Sequence, residues 1–323
     1  MITWPGERAI EIDRPDATGW LRLVVRLLCV VLVSALLLLP LLAVRALESD
    51  GGRRSIVGFA CRLALRVLGL RISVRGTVMQ QSGGLVANHC SWLDVIVLNS
   101  VQGAYFVSKA EVRDWPLCGV LARAAGTVFI RRRVMDALLQ KLMFAARLKR
   151  GHRLLFFPEG TSTDGLRVLP FRSSLFAAFF DEEFRGDHWI QPVCLAYSAP
   201  PGRRRDFYGW WGNASFIEHA AMIISAPRQG RVEVTFHDPV PVANYADRKQ
   251  LSRVCEACIG STLDACLNIE SAPINVRPSM RDVSTGIRPA SETGRDVEAR
   301  PIGVDSVKRG SVSLADRQSI PSS

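Results

Sequence analysis

The chain has 323 residues, a formal net charge of +11 and a pI near 9.7. This length can bury one substantial core together with extensions. The positive charge raises the question of a nucleic-acid partner, but the basic residues are spread along the chain and no recognition motif is present. We therefore expect no nucleic-acid partner, and we expect an anionic membrane surface to account for the charge.

An apolar run follows a polar N-terminal tail at residues 1–19. The uncharged run Leu27–Val44 is close to the ~20 residues that a spanning helix needs, although Pro40 could kink it. A second helix, basic and amphipathic, is predicted at about residues 55–70 and suits the membrane interface. Residues 20–72 are therefore predicted to anchor the protein on a membrane; the alternative is a buried helix followed by a surface helix.

The most informative feature is a histidine and an aspartate in the heptad Asn88–Asp94. The apolar run Leu85–Ala87 predicts a strand that ends at Asn88, and a helix is predicted from about Trp92. His89 and Asp94 would then lie at the C-terminal end of a strand, where open α/β sheets bind ligands. There Asp94 would fix the tautomer of the ring and stabilise the imidazolium. The alternative is a purely structural hydrogen bond.

Three further short sequence blocks follow the heptad, at Gly126–Arg131, Phe157–Thr161 and Ile190–Tyr197. Arg131 ends an apolar strand and heads a run of three arginines, which suits an anionic head group. Pro158 cannot continue a central strand, so Glu159 and Gly160 are placed in the loop that follows. The last block is predicted to be one more core strand.

The alternation of short apolar strands with helices predicts an α/β fold. We expect a mixed, largely parallel sheet flanked by helices over residues 73–269, after the N-terminal membrane-associated helical segment. Residues 270–323 are rich in Ser, Pro and Arg and are predicted to be disordered. The eight cysteines indicate buried thiols rather than a disulfide framework, and Cys255-x-x-Cys258 lacks the second pair that a zinc site requires, so no metal is expected.

The four blocks, in this order, resemble the membrane acyltransferases of the 1-acylglycerol-3-phosphate acyltransferase type, whose first motif is a His and an Asp separated by four residues. The resemblance covers about residues 20–240. It implies transfer of a fatty acyl group from acyl carrier protein or coenzyme A to a lysolipid hydroxyl, without a metal or redox cofactor. It also implies a location on the bacterial inner membrane, with the catalytic domain facing the cytoplasm.

The resemblance assigns roles to seven residues. His89 would be the general base and Asp94 its orienting partner. The substrate-binding residues would be Arg131, Glu159, Gly160, Thr161 and Lys109. Backbone amides near Gly160 are candidates for binding the oxyanion. A covalent intermediate on Cys90 or Ser91 is not expected, because neighbours in sequence usually point apart, and the resemblance implies direct attack by the acceptor.

One position differs from the phosphatidic-acid-forming members. Those members usually carry an arginine after the threonine of the third motif, which here is Phe157–Thr161. Here that position is Ser162, and a serine cannot replace a bidentate guanidinium on a phosphate. The segments Phe157–Phe176 and Trp210–Asn213 look more like the lyso-ornithine lipid acyltransferase branch, whose acceptor has no phosphate. Arg167 or Arg172 could supply another clamp.

Two alternatives therefore remain beside an acyltransferase that acts on lyso-ornithine lipid. The first is an enzyme that acylates 1-acyl-sn-glycerol 3-phosphate to phosphatidic acid. The second, more remote, is a non-catalytic lipid-binding membrane protein, against which the intact His89, Asp94 and Glu159 argue.

Overall fold

Eight strands form one sheet in the part of the chain that the structure describes. The structure is a computed structural model, and it describes residues 4–47, 49–102, 105–109, 128–130, 146–181 and 186–271. The strands are β1 (Arg71–Arg75), β2 (Gly83–Ala87), β3 (Tyr105–Lys109), β4 (Val128–Ile130), β5 (Arg153–Phe156), β6 (Trp189–Ser198), β7 (Arg231–Phe236) and β8 (Val240–Pro241). Their order is β1-β7-β6-β2-β5-β3-β4, with β8 also paired to β6.

Most neighbouring strands are parallel; β6 is antiparallel to β7 and to β8. The prediction of a mixed, largely parallel sheet is therefore confirmed. The predicted strands before His89 and before Pro158 correspond to β2 and β5, and the fourth block lies within β6.

Helices cover both faces of the sheet. They are α1 (Ala17–Ala46), α2 (Asp50–Leu68), α3 (Leu93–Val101), α4 (Phe216–Ser225) and α5 (Arg248–Ser271), with 3₁₀ turns at Ser173–Phe180 and Val242–Asn244. The adjacent residues Leu85 and Val86 of β2 belong to different core clusters, one shared with α2, α3 and α4 and the other with α5 and the first 3₁₀ turn. A strand buried on both faces accounts for the continuous apolar runs of the sequence.

Helix α1 is long and apolar enough to cross a membrane. Within its stretch Ala17–Val44, an 18-residue window has a mean hydropathy of 3.0, and none of that window is buried within the protein. The helix begins before the predicted run and continues through Pro40. Near its N-terminus, Arg22 and Arg26 donate hydrogen bonds to the backbone oxygens of Ser225 and Ala226, at the C-terminal end of α4. Cations are favourable at that end of a helix.

Helix α2 begins at Asp50 rather than near residue 55. The hydroxyl of Ser49 accepts a hydrogen bond from the backbone N–H of Gly52, and this cap accounts for the earlier start. The helix ends at Gly69, which has a left-handed conformation with φ of 87°. Residues 270 and 271 of the tail predicted to be disordered end α5, and the rest of that tail lies outside the described residues.

Candidate active site

The loops after β2 and β5 meet at one edge of the sheet. The two strands are adjacent and parallel, with Val86 opposite Phe156, so their carboxyl ends lie side by side. Glu159 accepts a hydrogen bond from the backbone N–H of His89 over 2.7 Å. The backbone N–H of Thr163 donates to the carbonyl oxygen of His89 over 2.9 Å. The loop after β5 therefore holds His89 by both of its backbone polar groups.

The imidazole of His89 is paired with a fully buried aspartate. Its Nδ1 lies 2.7 Å from Oδ2 of Asp94. The same oxygen accepts the backbone N–H groups of Cys90 and Ser91 over 2.8 and 3.0 Å, and Oδ1 accepts the hydroxyl of Tyr197 over 2.8 Å. Because Oδ2 of Asp94 accepts hydrogen bonds, Nδ1 of His89 carries the hydrogen, and Nε2 is left to accept a proton.

The ring plane of His89 is fixed by a stacked neighbour. The centroids of His89 and Phe157 are 4.1 Å apart, with an angle of 13° between the planes. The side chain of His89 is 21% exposed, so a substrate can still reach it. Together, the carboxylate and the stacked ring hold a base nitrogen in one orientation.

Glu159 braces this arrangement from the third motif. Its side chain is buried, and its second oxygen accepts the backbone N–H of Leu169 over 2.8 Å. Burial raises the pKa of Glu159 to about 8, while the N–H groups of Leu169 and His89 act in the opposite direction. Because both oxygens already bind backbone N–H groups, we infer that Glu159 positions His89 rather than contacts the substrate.

Polar groups of the two residues after Glu159 also form hydrogen bonds within the protein. Gly160 has φ of 73°, and its N–H donates to the carbonyl oxygen of Phe157 over 3.1 Å. The amide of Gly160 itself is therefore used in the turn after Pro158, and oxyanion binding by backbone amides near Gly160 stays a prediction. The hydroxyl oxygen of Thr161 accepts the backbone N–H of Trp4 over 3.3 Å.

Two predicted substrate-binding residues cannot be placed at the site. Lys109 is the last residue of β3, and its side chain lies outside the described structure. Arg131 lies wholly outside the described residues, directly after β4.

The N-terminal strap, residues 4–13, packs on the catalytic domain and was not foreseen from the sequence. The carbonyl oxygen of Trp4 accepts the backbone N–H of Gly212 over 3.0 Å, and the indole N–H of Trp211 donates to the carbonyl oxygen of Arg8 over 3.0 Å. A Cβ on Gly6 would lie 2.2 Å from Nε1 of Trp211, so only glycine fits there.

Ion pairs hold the rest of the strap. Arg8 pairs with the buried carboxylate of Asp206 over 2.6 Å, and Glu11 pairs with Arg204 over 2.6 Å. The sequence carried one signal of this contact: the acidic residues of the N-terminal tail complement the run Arg203–Arg205.

The residues next to His89 do not offer a nucleophile. Cys90 is buried, and burial raises the pKa of its thiol far above the usual range, so the thiol stays protonated near neutral pH. Ser91 is fully buried, and its hydroxyl oxygen accepts the backbone N–H of Leu93. These positions favour direct attack by an acceptor that His89 deprotonates.

A His-x4-Asp pair at the carboxyl edge of a largely parallel sheet, with the histidine side chain partly exposed, defines the class of acyltransferases that activate an acceptor hydroxyl. The family model described as Acyltransferase matches residues 71–196. The crystal structure of the 1-acyl-sn-glycerophosphate acyltransferase PlsC from Thermotoga maritima has the same fold. It matches with a TM-score of 0.53 at 19% identity and covers 78% of this chain and 98% of that one.

Two relatives named as acyltransferases are more similar in sequence than the PlsC structure is. The lyso-ornithine lipid O-acyltransferase of Rhodobacter capsulatus is 47% identical over 266 residues, which are 80% of this chain and 96% of the relative. A 1-acyl-sn-glycerol-3-phosphate acyltransferase of Neisseria gonorrhoeae is 32% identical over 48% of this chain and 62% of its own length. The chain belongs to the acyltransferase family and is an O-acyltransferase. This membership and the apolar helix α1 support association with a membrane.

Proposed function

We propose that the protein transfers a fatty acyl group from an acyl thioester to the hydroxyl of lyso-ornithine lipid. The proposed identity of the acceptor rests on the 47% identity to the Rhodobacter capsulatus enzyme over 96% of that enzyme. The side chain of Ser162 supports it, since a hydroxyl bound to the carbonyl oxygen of Trp210 provides no cation for a phosphate.

The proposed reaction is one displacement. Nε2 of His89 takes the proton of the acceptor hydroxyl as its oxygen bonds to the thioester carbonyl carbon. The C–S bond then breaks, the imidazolium returns the proton to the departing sulfur, and an ester and a thiol result. Asp94 stabilises the imidazolium while it exists. No oxidation state changes, so the reaction requires no redox cofactor, and His89 supplies the base without a metal.

The donor we propose is acyl carrier protein or coenzyme A carrying the fatty acid. Both are cytoplasmic carriers, so we place the catalytic domain on the cytoplasmic side of the bacterial inner membrane. Helix α1 and its exposed leucines would hold it there.

The second candidate acceptor is lysophosphatidate. The match to the Neisseria gonorrhoeae enzyme favours it, but that match covers less of this chain and is less identical.

The test is acyl transfer by membranes that contain the protein, with radiolabelled acyl thioester and either lysolipid. His89→Ala is the inactive variant. His237→Ala is the matched control, since Nε2 of His237 lies 3.3 Å from the hydroxyl of Thr262 in α5 and the ring is not part of the His89–Asp94 pair. We expect product from lyso-ornithine lipid that only His89→Ala abolishes. Product mainly from lysophosphatidate would refute the acceptor, and full activity of His89→Ala would refute the base.

A further inference from the structure

Two arginines, Arg167 and Arg172, follow the third motif, and Arg167 is already paired with carboxylates of the protein. The guanidinium of Arg167 is ion-paired with Glu7 and, over 3.1 Å, with Asp164. It also lies 5.3 Å from the centre of the Trp4 ring. Arg167 thus fastens the N-terminal strap to the domain, and its donors are used within the protein.

Arg172 is placed differently. Its side chain is exposed, and among the described residues no carboxylate lies within ion-pair distance of it. Its backbone N–H donates to the carbonyl oxygen of Pro158 over 2.9 Å. Its guanidinium carbon lies 3.0 Å from where a Cβ on Gly160 would be, so the glycine makes room for it. Arg172 therefore offers a guanidinium against the third motif.

The same loop carries the base. Residues 157–160 touch His89 through the Phe157 ring and through the carboxylate of Glu159, and they touch Arg172 through Pro158 and Gly160. A substrate whose hydroxyl lies at His89 is therefore beside the loop on which the guanidinium rests.

We propose that Arg172 binds the α-carboxylate of the acceptor's ornithine head group. This inference rests on the proposed function, because in that acceptor the carboxylate is joined through an amide to the hydroxyl-bearing chain. A guanidinium matches a carboxylate with two parallel hydrogen bonds and is weakly hydrated. The role is in acceptor selection, since the carboxylate is not a reacting group.

The experiment compares two acceptors: lyso-ornithine lipid and an analogue in which the ornithine is replaced by its decarboxylated diamine. The enzymes are the wild type, Arg172→Met, Arg172→Lys and the control Arg228→Met, which changes an exposed arginine after α4. Thermal unfolding in detergent confirms that each variant is folded.

In the wild type we expect the KM for the analogue to exceed that for lyso-ornithine lipid by on the order of 10- to 100-fold. Arg172→Met raises the KM for lyso-ornithine lipid by a similar factor, keeps most of kcat, and no longer distinguishes the two acceptors. Arg172→Lys shows an intermediate ratio, and Arg228→Met behaves as the wild type.

An Arg172→Met variant that discriminates as the wild type does would overturn the inference, as would a wild type that uses both acceptors equally well. If the wild type makes no product from lyso-ornithine lipid, the proposed function itself fails. That result is distinguishable, because it does not depend on any arginine variant.

Discussion

The hydroxyl of Ser162 donates a hydrogen bond to the backbone carbonyl oxygen of Trp210. Ser162 occupies the position where phosphatidic-acid-forming relatives usually carry an arginine, and Trp210 begins the segment that resembles the lyso-ornithine branch. The two segments that differ from the phosphatidic-acid-forming relatives are thus in direct contact. The residues on either side of Ser162 make further contacts, because Thr161 binds the N-terminal strap and Thr163 binds His89.

Ser162→Ala tests this contact. The change removes the hydrogen bond that the Ser162 hydroxyl donates to the carbonyl oxygen of Trp210, so we expect a loss of about 1 kcal/mol in the free energy of unfolding. For a domain of this size the corresponding fall in Tm is about 2–4 °C. The control is Ser261→Ala, which removes an exposed hydroxyl that bonds within α5. Equal Tm values for the two variants, measured in detergent, would show that the contact contributes nothing.

Asp94→Asn separates charge from shape. An asparagine keeps an oxygen for the backbone N–H groups of Cys90 and Ser91, but it has no negative charge to stabilise the imidazolium of His89. We expect kcat to fall on the order of 10³- to 10⁴-fold, with little change in Tm.

The control for this variant is Asp238→Asn, at an exposed position after β7. Steady-state kinetics at saturating acceptor measure both variants. If Asp94→Asn kept a tenth or more of the wild-type kcat, the pair would be structural rather than catalytic.

Local patterns in the sequence were sufficient to predict the two strands whose ends carry His89 and Glu159. The apolar run before Asn88 and the proline after Phe157 mark the ends of β2 and β5, and parallel strands bring their ends together. The contacts that support the His89–Asp94 pair were not predictable in this way. Tyr197 reaches Asp94 across 103 positions of the chain, and only the register between β2 and β6 brings them together.

The N-terminal strap illustrates the same limit. Arg8 and Asp206 are 198 positions apart, and a run of charged residues before an apolar helix has the composition of a solvated tail. Only the folded domain offers Asp206 as a buried carboxylate, which makes the pair specific. The prediction of a polar tail described the composition correctly but gave no indication of where the segment packs.

Gly6→Ala tests whether the strap supports the third motif. A Cβ at this position would collide with Trp211, so we expect the strap to separate from the domain and release Thr161. Activity with lyso-ornithine lipid should fall about tenfold, as a loss of 1.4 kcal/mol would give. The matched control is Gly151→Ala. Gly151 also has positive φ, of 71°, but nothing lies within 4 Å of the added Cβ.

Limited proteolysis of the strap reports its detachment directly. We expect cleavage before Ala17 in Gly6→Ala and protection in the control. Detachment without any loss of activity would mean that the strap contributes to stability alone.

Glu159→Gln tests the brace and its titration. The amide nitrogen of a glutamine would face the backbone N–H of either His89 or Leu169, so one buried donor loses its partner, at a cost of about 1–3 kcal/mol. Because burial raises the pKa of Glu159 from 4.5 to about 8, the folded protein binds a proton in that interval that the unfolded chain releases. The stability from this protonation is fully present below about 4.5 and is lost as the pH rises to about 8.

The Tm of the wild type, relative to that of Glu159→Gln, should therefore fall as the pH rises through this interval, since glutamine does not titrate. The control is Glu218→Gln, at an exposed position in the first turn of α4. If the difference in Tm between wild type and Glu159→Gln grows with pH instead, the ionised carboxylate is the form that the folded site favours. In that case the two backbone N–H groups outweigh the burial of Glu159, and the brace on His89 is a charged one.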